Sequence, residues 1–174
     1  MNVRNLHPGF VTALWLIPIL ALLQASIAGH LAIRGVLPGL VLIAVVDWGI
    51  LRGTDEGMLW AFLAGLCLDV FSGWPPGTNT VALVTVASVV SLGQGTFIRT
   101  HALLPPATVF GATILFYVIA LFILESIHQP VEWITALRDT VLPIAIYNAL
   151  LNVVGFRLVQ RLESRVYPLP RANW

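Results

Sequence analysis

The sequence predicts an all-α membrane protein, a polytopic bundle of about six transmembrane helices. Of its 174 residues, 58% are hydrophobic and only 10% are charged, and the mean hydropathy is +0.90. A soluble domain carries about 25% charged residues, so this chain has too few charges to cover a water-facing surface. Since a span takes roughly 20 residues, six spans would use nearly the whole chain and leave no room for a soluble catalytic domain. We therefore expect residues 1–174 to form a single transmembrane domain.

The first three helices follow from apolar runs that short polar links separate. The first is predicted at residues 10–28 and the second at 36–51. A polar turn at 52–57 is expected to lead into the third, at 58–72. The third run is shorter than the roughly 20 residues of a full span, so we expect it to sit where the bilayer is locally thin or to stop part-way.

Three further apolar runs complete the predicted bundle. The fourth helix, at 80–98, begins directly after a Pro-Pro-Gly turn. The fifth, at 103–124, has prolines near its first turn, where proline is tolerated. The sixth, at 141–159, passes into an amphipathic basic tail at 157–174, which is expected to lie at the lipid phosphates.

The arginines predict the orientation in the membrane, because cytoplasmic loops carry an excess of basic residues. With six spans and the N-terminus inside, seven of the nine arginines fall on the inner side and only Arg34 and Arg138 on the outer side. The inner arginines are Arg4, Arg52, Arg99, Arg157, Arg161, Arg165 and Arg171. Both termini are therefore expected in the cytoplasm. The net charge of +1 gives no indication of a nucleic-acid partner.

One carboxylate, Asp69, lies inside the predicted third helix, just before the break at 73–77. A charged side chain at a membrane centre costs about 2.5–3.5 kcal/mol, so it usually has a partner or a function. Asp69 could belong to a proton or ion site. Alternatively, it accepts hydrogen bonds from the following turn or the next helix and fixes the shape of the hairpin. We favour the second interpretation because one acid makes a poor relay. Another acid, Asp47, is expected to reach the inner interface.

Two other sets of residues are candidates for contacts. Asn148 and Asn152 are four residues apart, so they share one helix face and are expected to form a polar packing face between helices. A ligand site is the alternative. The segment 130–138 is expected to form a short interfacial helix on the outer surface. Within it, Trp133, Ile134 and Leu137 belong either to a loop lying on the membrane or to a docking segment for an outer partner.

The chain shows no arrangement of residues that carries out catalysis. It has no Ser/His/Asp set, no paired carboxylates and no metal-ligand spacing, and its four histidines are scattered over loops and helix ends. The single cysteine, Cys67, excludes an internal disulfide. We therefore expect no enzyme activity, no catalytic residue, no metal and no cofactor.

The hairpin carries a family resemblance. Its glycines, acid and proline spell Gly-x3-Asp-x3-Gly-x-Pro-x-Gly, formed here by Gly65, Asp69, Gly73, Pro75 and Gly77. This pattern resembles that of the rod shape-determining protein MreD family. The Asn-Ala-Leu-Leu stretch that begins at Asn148, the basic tail and the helix order resemble the same family. A second proline, Pro76, and the absence of lysine depart from its pattern.

The resemblance implies a non-catalytic subunit of the bacterial cell-elongation (rod) complex in the cytoplasmic (inner) membrane. Members of that family bind MreC and help to couple the MreB cytoskeleton to peptidoglycan synthesis. The implied partners also include RodA and its class B penicillin-binding transpeptidase, directly or through MreC, with MreB reached indirectly and membrane lipids around the bundle. The resemblance further implies a fold similar to the substrate-capture subunits of energy-coupling-factor importers. The alternative function is therefore a small-ligand capture subunit of a transporter, against which the short outer loop at 29–35 argues.

Overall fold

The computed structural model describes residues 8–31, 37–92 and 104–167, with side-chain surroundings for residues 9–26 of the first helix. All the regular secondary structure in this part of the chain is helical, and it contains no strand. Its elements are α1 (Pro8–Leu31), α2 (Leu40–Arg52), α3 (Thr54–Phe71), α4 (Thr78–Leu92), α5 (Leu104–Ser126), α6 (Trp133–Thr135), a π-helical turn (Ala136–Val141) and α7 (Leu142–Val166). The predicted all-α class is confirmed.

Helix α2 lies at the centre of the bundle. Every residue from Val41 to Ile50 is buried, and α2 packs against α1, α3, α4, α5 and α7. A helix that is apolar all round is stable only where neighbours enclose it. With 13 residues, α2 is also shorter than the roughly 20 residues of a full span. The second apolar run of the sequence thus forms the core rather than a lipid-facing surface.

Within the described part of the chain, three helical stretches are long and apolar enough to cross a membrane: Gly9–Ser26, Leu104–Ser126 and Trp133–Val166. Helix α4 is a shorter apolar helix. Large apolar side chains remain exposed on the outside of these stretches, among them Trp15 at 71% and Leu150 at 65%. Such a surface is unfavourable in water and matches lipid, so the chain is a membrane protein, as the sequence predicts.

The bundle has two distinct ends. Tyr167, just after α7, contacts Gly9 in the first turn of α1 and Glu56 in the first turn of α3. We call this the basic end, because the exposed arginines of α7 lie there: Arg157, Arg161 and Arg165. The α3–α4 turn, the end of α5 and the α6 segment lie at the opposite end, the hairpin end.

The connection between α2 and α3 differs from the prediction. The polar turn expected at 52–57 is wrong, because only Gly53 separates the two helices, with a φ of 96°. Helix α3 begins at Thr54, and the acidic residues Asp55 and Glu56 occupy its first turn. Carboxylates are favourable there because they complement the positive end of the helix dipole.

The outer segment also differs from the prediction. No separate helix covers residues 130–138. Instead, α6 begins at Trp133 and the chain runs through the π-helical turn directly into α7. Pro143, at the start of α7, has no N–H to donate to the preceding turn, and the π-helical turn lies immediately before it. Helix α7 then continues without a break to Val166, so the predicted tail is helical as far as that residue. The predicted ends at 93–98 and 168–174, and the loop at 29–35 beyond Leu31, lie outside the described residues.

Candidate functional site: the α3–α4 hairpin and the buried amides of α7

Asp69, in the last turn of α3, joins the two helices of the hairpin. Its Oδ1 accepts hydrogen bonds from the backbone N–H of Asn79 at 2.9 Å and from the Asn79 side-chain amide at 3.0 Å. Its Oδ2 accepts from the backbone N–H of Gly77 at 3.0 Å, and from Thr80 through the N–H at 3.3 Å and the hydroxyl at 2.6 Å. The first N–H groups of a helix have no partner within it. A carboxylate of α3 therefore caps α4.

The turn between the helices explains the glycines and prolines of the pattern. The N–H of Thr78 donates to the carbonyl of Pro75 at 3.2 Å, which closes a four-residue turn. Pro76 is the second residue of that turn, a position that favours proline, and Gly77 is the third, with a φ of 91°. Gly73 has a φ of 69°. Glycine adopts such positive φ angles at little cost. The second proline, Pro76, which departs from the family pattern, fits the turn because it occupies the position that favours proline.

Gly65 allows the close approach of α3 and α4. A Cβ atom built at this position would overlap the backbone of Thr80. Further along the hairpin, the side-chain amide of Asn79 donates to the Ser72 hydroxyl at 2.8 Å. The five residues of the pattern thus have separate physical roles. Gly65 allows the two helices to approach, Asp69 caps α4, and the other three residues shape the turn.

The hydrogen bonds of Asp69 bear on its two interpretations. A carboxylate offers about four lone-pair sites, and five donors already occupy those of Asp69. All of these donors lie in the turn or the first residues of α4. The geometry is therefore that of a group that fixes the hairpin's shape, and no acceptor site is left for a relay.

The expected position of the other acid, Asp47, is wrong. Asp47 does not reach the inner interface: it is 0% exposed and lies on the central helix α2. The side-chain amide of Asn152 on α7, also 0% exposed, donates to both carboxylate oxygens, at 2.7 and 2.8 Å. The Asn152 oxygen has no hydrogen-bond partner in the described part of the chain. Because the aspartate side chain is short, it cannot extend to the interface from a helix that its neighbours enclose.

Asn148 contacts other partners than Asn152 does. Its Oδ1 accepts from the N–H of Gly39, directly before α2, at 2.8 Å. Its amide donates to the Thr113 hydroxyl on α5 at 3.2 Å. The Oε1 of Gln24 on α1 accepts from the N–H of Val41 at 3.0 Å. Side chains of α1 and α7 thus satisfy two of the N–H groups at the start of α2.

The Asp47–Asn152 pair gives a testable prediction for stability. Asn152→Leu is expected to lower the free energy of unfolding by about 3 kcal/mol, because Asp47 would stay buried without its hydrogen-bond donor. Adding Asp47→Leu should recover most of the loss, because two apolar residues replace the pair. Thermal unfolding in detergent, followed by tryptophan fluorescence, measures both effects, with the exposed-site variant Val153→Leu as the control. A double variant as unstable as Asn152→Leu alone would contradict the coupling.

A polar network at the basic end was not predicted. Glu56 accepts hydrogen bonds from Tyr167 at 2.7 Å, from Trp48 at 3.1 Å and from Arg52 at 3.2 Å. The Arg52 guanidinium also lies 3.5 Å from the centre of the Tyr167 ring and 3.4 Å from Glu163. Burial raises the pKa of Glu56, but these hydrogen bonds lower it by more, so the pKa lies below its ordinary value. The carboxylate therefore stays ionised at neutral pH and holds the end of α7 against α2 and α3.

The predicted docking segment lies at the hairpin end, without a shared exposed face. The Trp133 indole donates to Glu125 at 3.0 Å. Ile134 is 83% exposed, whereas Leu137 is half-buried. Exposed charges flank the segment at Glu132 and in the π-helical turn.

The family model of the rod shape-determining protein MreD matches residues 8–163. The chain belongs to the MreD family. Neither the comparison with curated proteins nor the comparison with solved structures found a match. The match runs from the first turn of α1 almost to the end of α7, so the MreD family accounts for the whole bundle and not for the hairpin alone. MreD is a family of shape-determining membrane proteins. The described residues contain no group of three or more histidine, cysteine, aspartate or glutamate side chains that could hold a metal ion. The similarity of the fold to the substrate-capture subunits of energy-coupling-factor importers stays a prediction.

Proposed function

We propose that this chain is a non-catalytic subunit of the bacterial cell-elongation complex and that it binds MreC in the cytoplasmic membrane. The match to the MreD family over residues 8–163 carries the proposal. The polar groups of the bundle support it, since Asp69, Asn148 and Glu56 bond to neighbouring helices. Such contacts hold a scaffold together. Through MreC, the chain would help to couple the MreB cytoskeleton to RodA and its class B penicillin-binding transpeptidase.

The hairpin end is the proposed surface for the outer part of this assembly. It presents the rigid turn at 73–77 and the α6 segment with its exposed Ile134. An exposed isoleucine on a helical segment can insert into an apolar pocket of a partner. We expect Ile134→Asp to lower the amount of MreC that co-purifies with the chain. The control substitution Ser164→Asp, at the basic end, should leave that amount unchanged.

Co-purification tests the proposal directly. The tagged chain is expressed together with MreC from the same bacterium, and the membranes are dissolved in mild detergent. MreC should elute with the tagged chain in a constant ratio. A tagged unrelated membrane protein of similar size serves as the control. Absence of MreC, with the tagged chain folded and monodisperse, would contradict the proposal.

The proposed orientation places both termini in the cytoplasm. All four arginines described at the basic end would then be cytoplasmic: Arg52, Arg157, Arg161 and Arg165. In a Cys67→Ser background, Gln129→Cys at the hairpin end should react with a membrane-impermeant maleimide on spheroplasts. Ser164→Cys at the basic end should react only after the membrane is opened. The reverse pattern would show that the orientation is wrong.

A further inference from the structure

A cavity of about 340 Å³ opens in the hairpin half of the bundle. Its walls come from α1, the start of α2, the α3–α4 hairpin, α5 and α7. Small-molecule sites span about 300–1,000 Å³, so the space is large enough for one small ligand. None of the proposed contacts with MreC requires this space.

Aromatic side chains form one wall of the cavity. Phe71 comes from the end of α3, Trp74 from the turn, and Phe116 and Tyr117 from α5. The Tyr117 ring meets Trp74 edge-on at 6.3 Å and Phe116 edge-on at 5.2 Å. These contacts hold the rings at fixed angles, and a planar ligand gains from stacking on such a wall.

Three polar groups on the walls retain unused hydrogen-bonding capacity. Gln24 uses its oxygen for the N–H of Val41, and its amide N–H groups donate to no described residue. Asn79 uses its amide nitrogen for Asp69 and Ser72, and its oxygen accepts from no described residue. The Tyr117 hydroxyl forms no hydrogen bond within the described residues. The cavity therefore offers donors and an acceptor to a ligand.

The charges around the cavity argue against an anionic ligand. No charged side chain lines it among the described residues. The carboxylate of Asp69 accepts a hydrogen bond directly from Asn79 of the wall. An anion would lie in a low-dielectric site beside this carboxylate without a described counter-charge.

We propose that this cavity binds an uncharged ring compound that carries both a hydrogen-bond acceptor and a donor on its edge. The ring stacks against the aromatic wall. Its acceptor accepts a hydrogen bond from the Gln24 amide or the Tyr117 hydroxyl, and its donor donates a hydrogen bond to the Asn79 oxygen. A lipid acyl chain would leave these three polar groups unpaired, which costs free energy when they are desolvated.

Binding of three small probes to the full chain in nanodiscs tests the inference. Nicotinamide is uncharged and carries a donor and acceptors, nicotinate has the same shape with a negative charge, and toluene has no hydrogen-bonding group. Saturation-transfer NMR should show saturable binding of nicotinamide, with nicotinate and toluene at least tenfold weaker. Equal binding of toluene would show an apolar void only, and equal binding of nicotinate would overturn the charge argument. Absence of saturable nicotinamide binding would overturn the proposal.

Two variants assign the binding to this cavity. Ala25→Trp places an indole at the cavity wall and should abolish binding of nicotinamide, whereas the matched substitution Leu22→Trp, at an exposed position of the same helix that does not line the cavity, should not. Tyr117→Phe keeps the ring and removes the hydroxyl, so it should weaken nicotinamide about tenfold and leave toluene unchanged. Unchanged nicotinamide affinity in both Ala25→Trp and Tyr117→Phe would contradict the assignment.

Discussion

Asp69→Ala is expected to lower the free energy of unfolding by about 3 kcal/mol, because the donors that the carboxylate satisfies would lose their acceptor. Three of these donors are backbone N–H groups, of Gly77, Asn79 and Thr80. They lie at a helix start that has no other described cap. Asp69→Asn keeps one acceptor oxygen and should lose less. Thermal unfolding of the purified chain in detergent measures both changes.

Asp55→Ala provides the matched control for this substitution. Asp55 is an exposed acid in the first turn of the same helix, so its removal costs only part of a dipole interaction, about 0.5 kcal/mol. Equal losses at positions 55 and 69 would mean that the hairpin hydrogen bonds do not fix the fold.

Gly65→Ala is expected to cost about 3 kcal/mol, because the added methyl group would overlap the Thr80 backbone and force α3 and α4 apart. The overlap involves main-chain atoms, which cannot rotate away as a flexible side chain does. We expect the variant to unfold at a lower temperature and to accumulate less in membranes. Unfolding in detergent and the amount of folded chain per cell are the two measurements.

Gly111→Ala tests whether any glycine substitution would have this effect. Gly111 lies inside α5, and a Cβ atom there would meet nothing within 4 Å. Alanine in a helix interior is favoured over glycine by about 1 kcal/mol, so this variant should be slightly more stable than the wild type. A loss of stability at position 111 similar to that at position 65 would contradict the steric account.

The hairpin could be predicted because its contacts are local in the sequence. Asp69 and its donors lie within eleven residues, and the turn residues between them indicate where the chain reverses. The same proximity made both interpretations of Asp69 available before the structure was known. What the spacing could not show is that five donors occupy the carboxylate.

The buried pair could not be predicted, because its partners are far apart in sequence. Asp47 and Asn152 are separated by 105 positions, and Glu56 and Tyr167 by 111. Asp47 stands five residues before Arg52, which suggested an inner interface. Only the enclosure of α2 by five helices, a property of the folded bundle, places it in the core. Asn152 offered a weak signal, since an amide inside an apolar helix needs a partner.

Which helices span the membrane, and where they are linked, was also only partly predictable. Apolar length identified α1, α5 and α7 as stretches able to span the bilayer. The length of an apolar run cannot distinguish a lipid-facing helix from an enclosed one, so the sequence predicted α2 as another membrane span. The single-residue link at Gly53 was hidden because Thr54, Asp55 and Glu56 are typical both of polar turns and of helix starts.

The central proposal is that the hairpin fixed by Asp69 allows this MreD-family chain to bind MreC. Its most direct test is the amount of MreC recovered per folded tagged chain for the wild type, Asp55→Asn and Asp69→Asn at equal expression. We predict equal recovery with the first two and at least a threefold lower recovery with Asp69→Asn. Equal recovery in all three, or none with the folded wild type, would contradict the account.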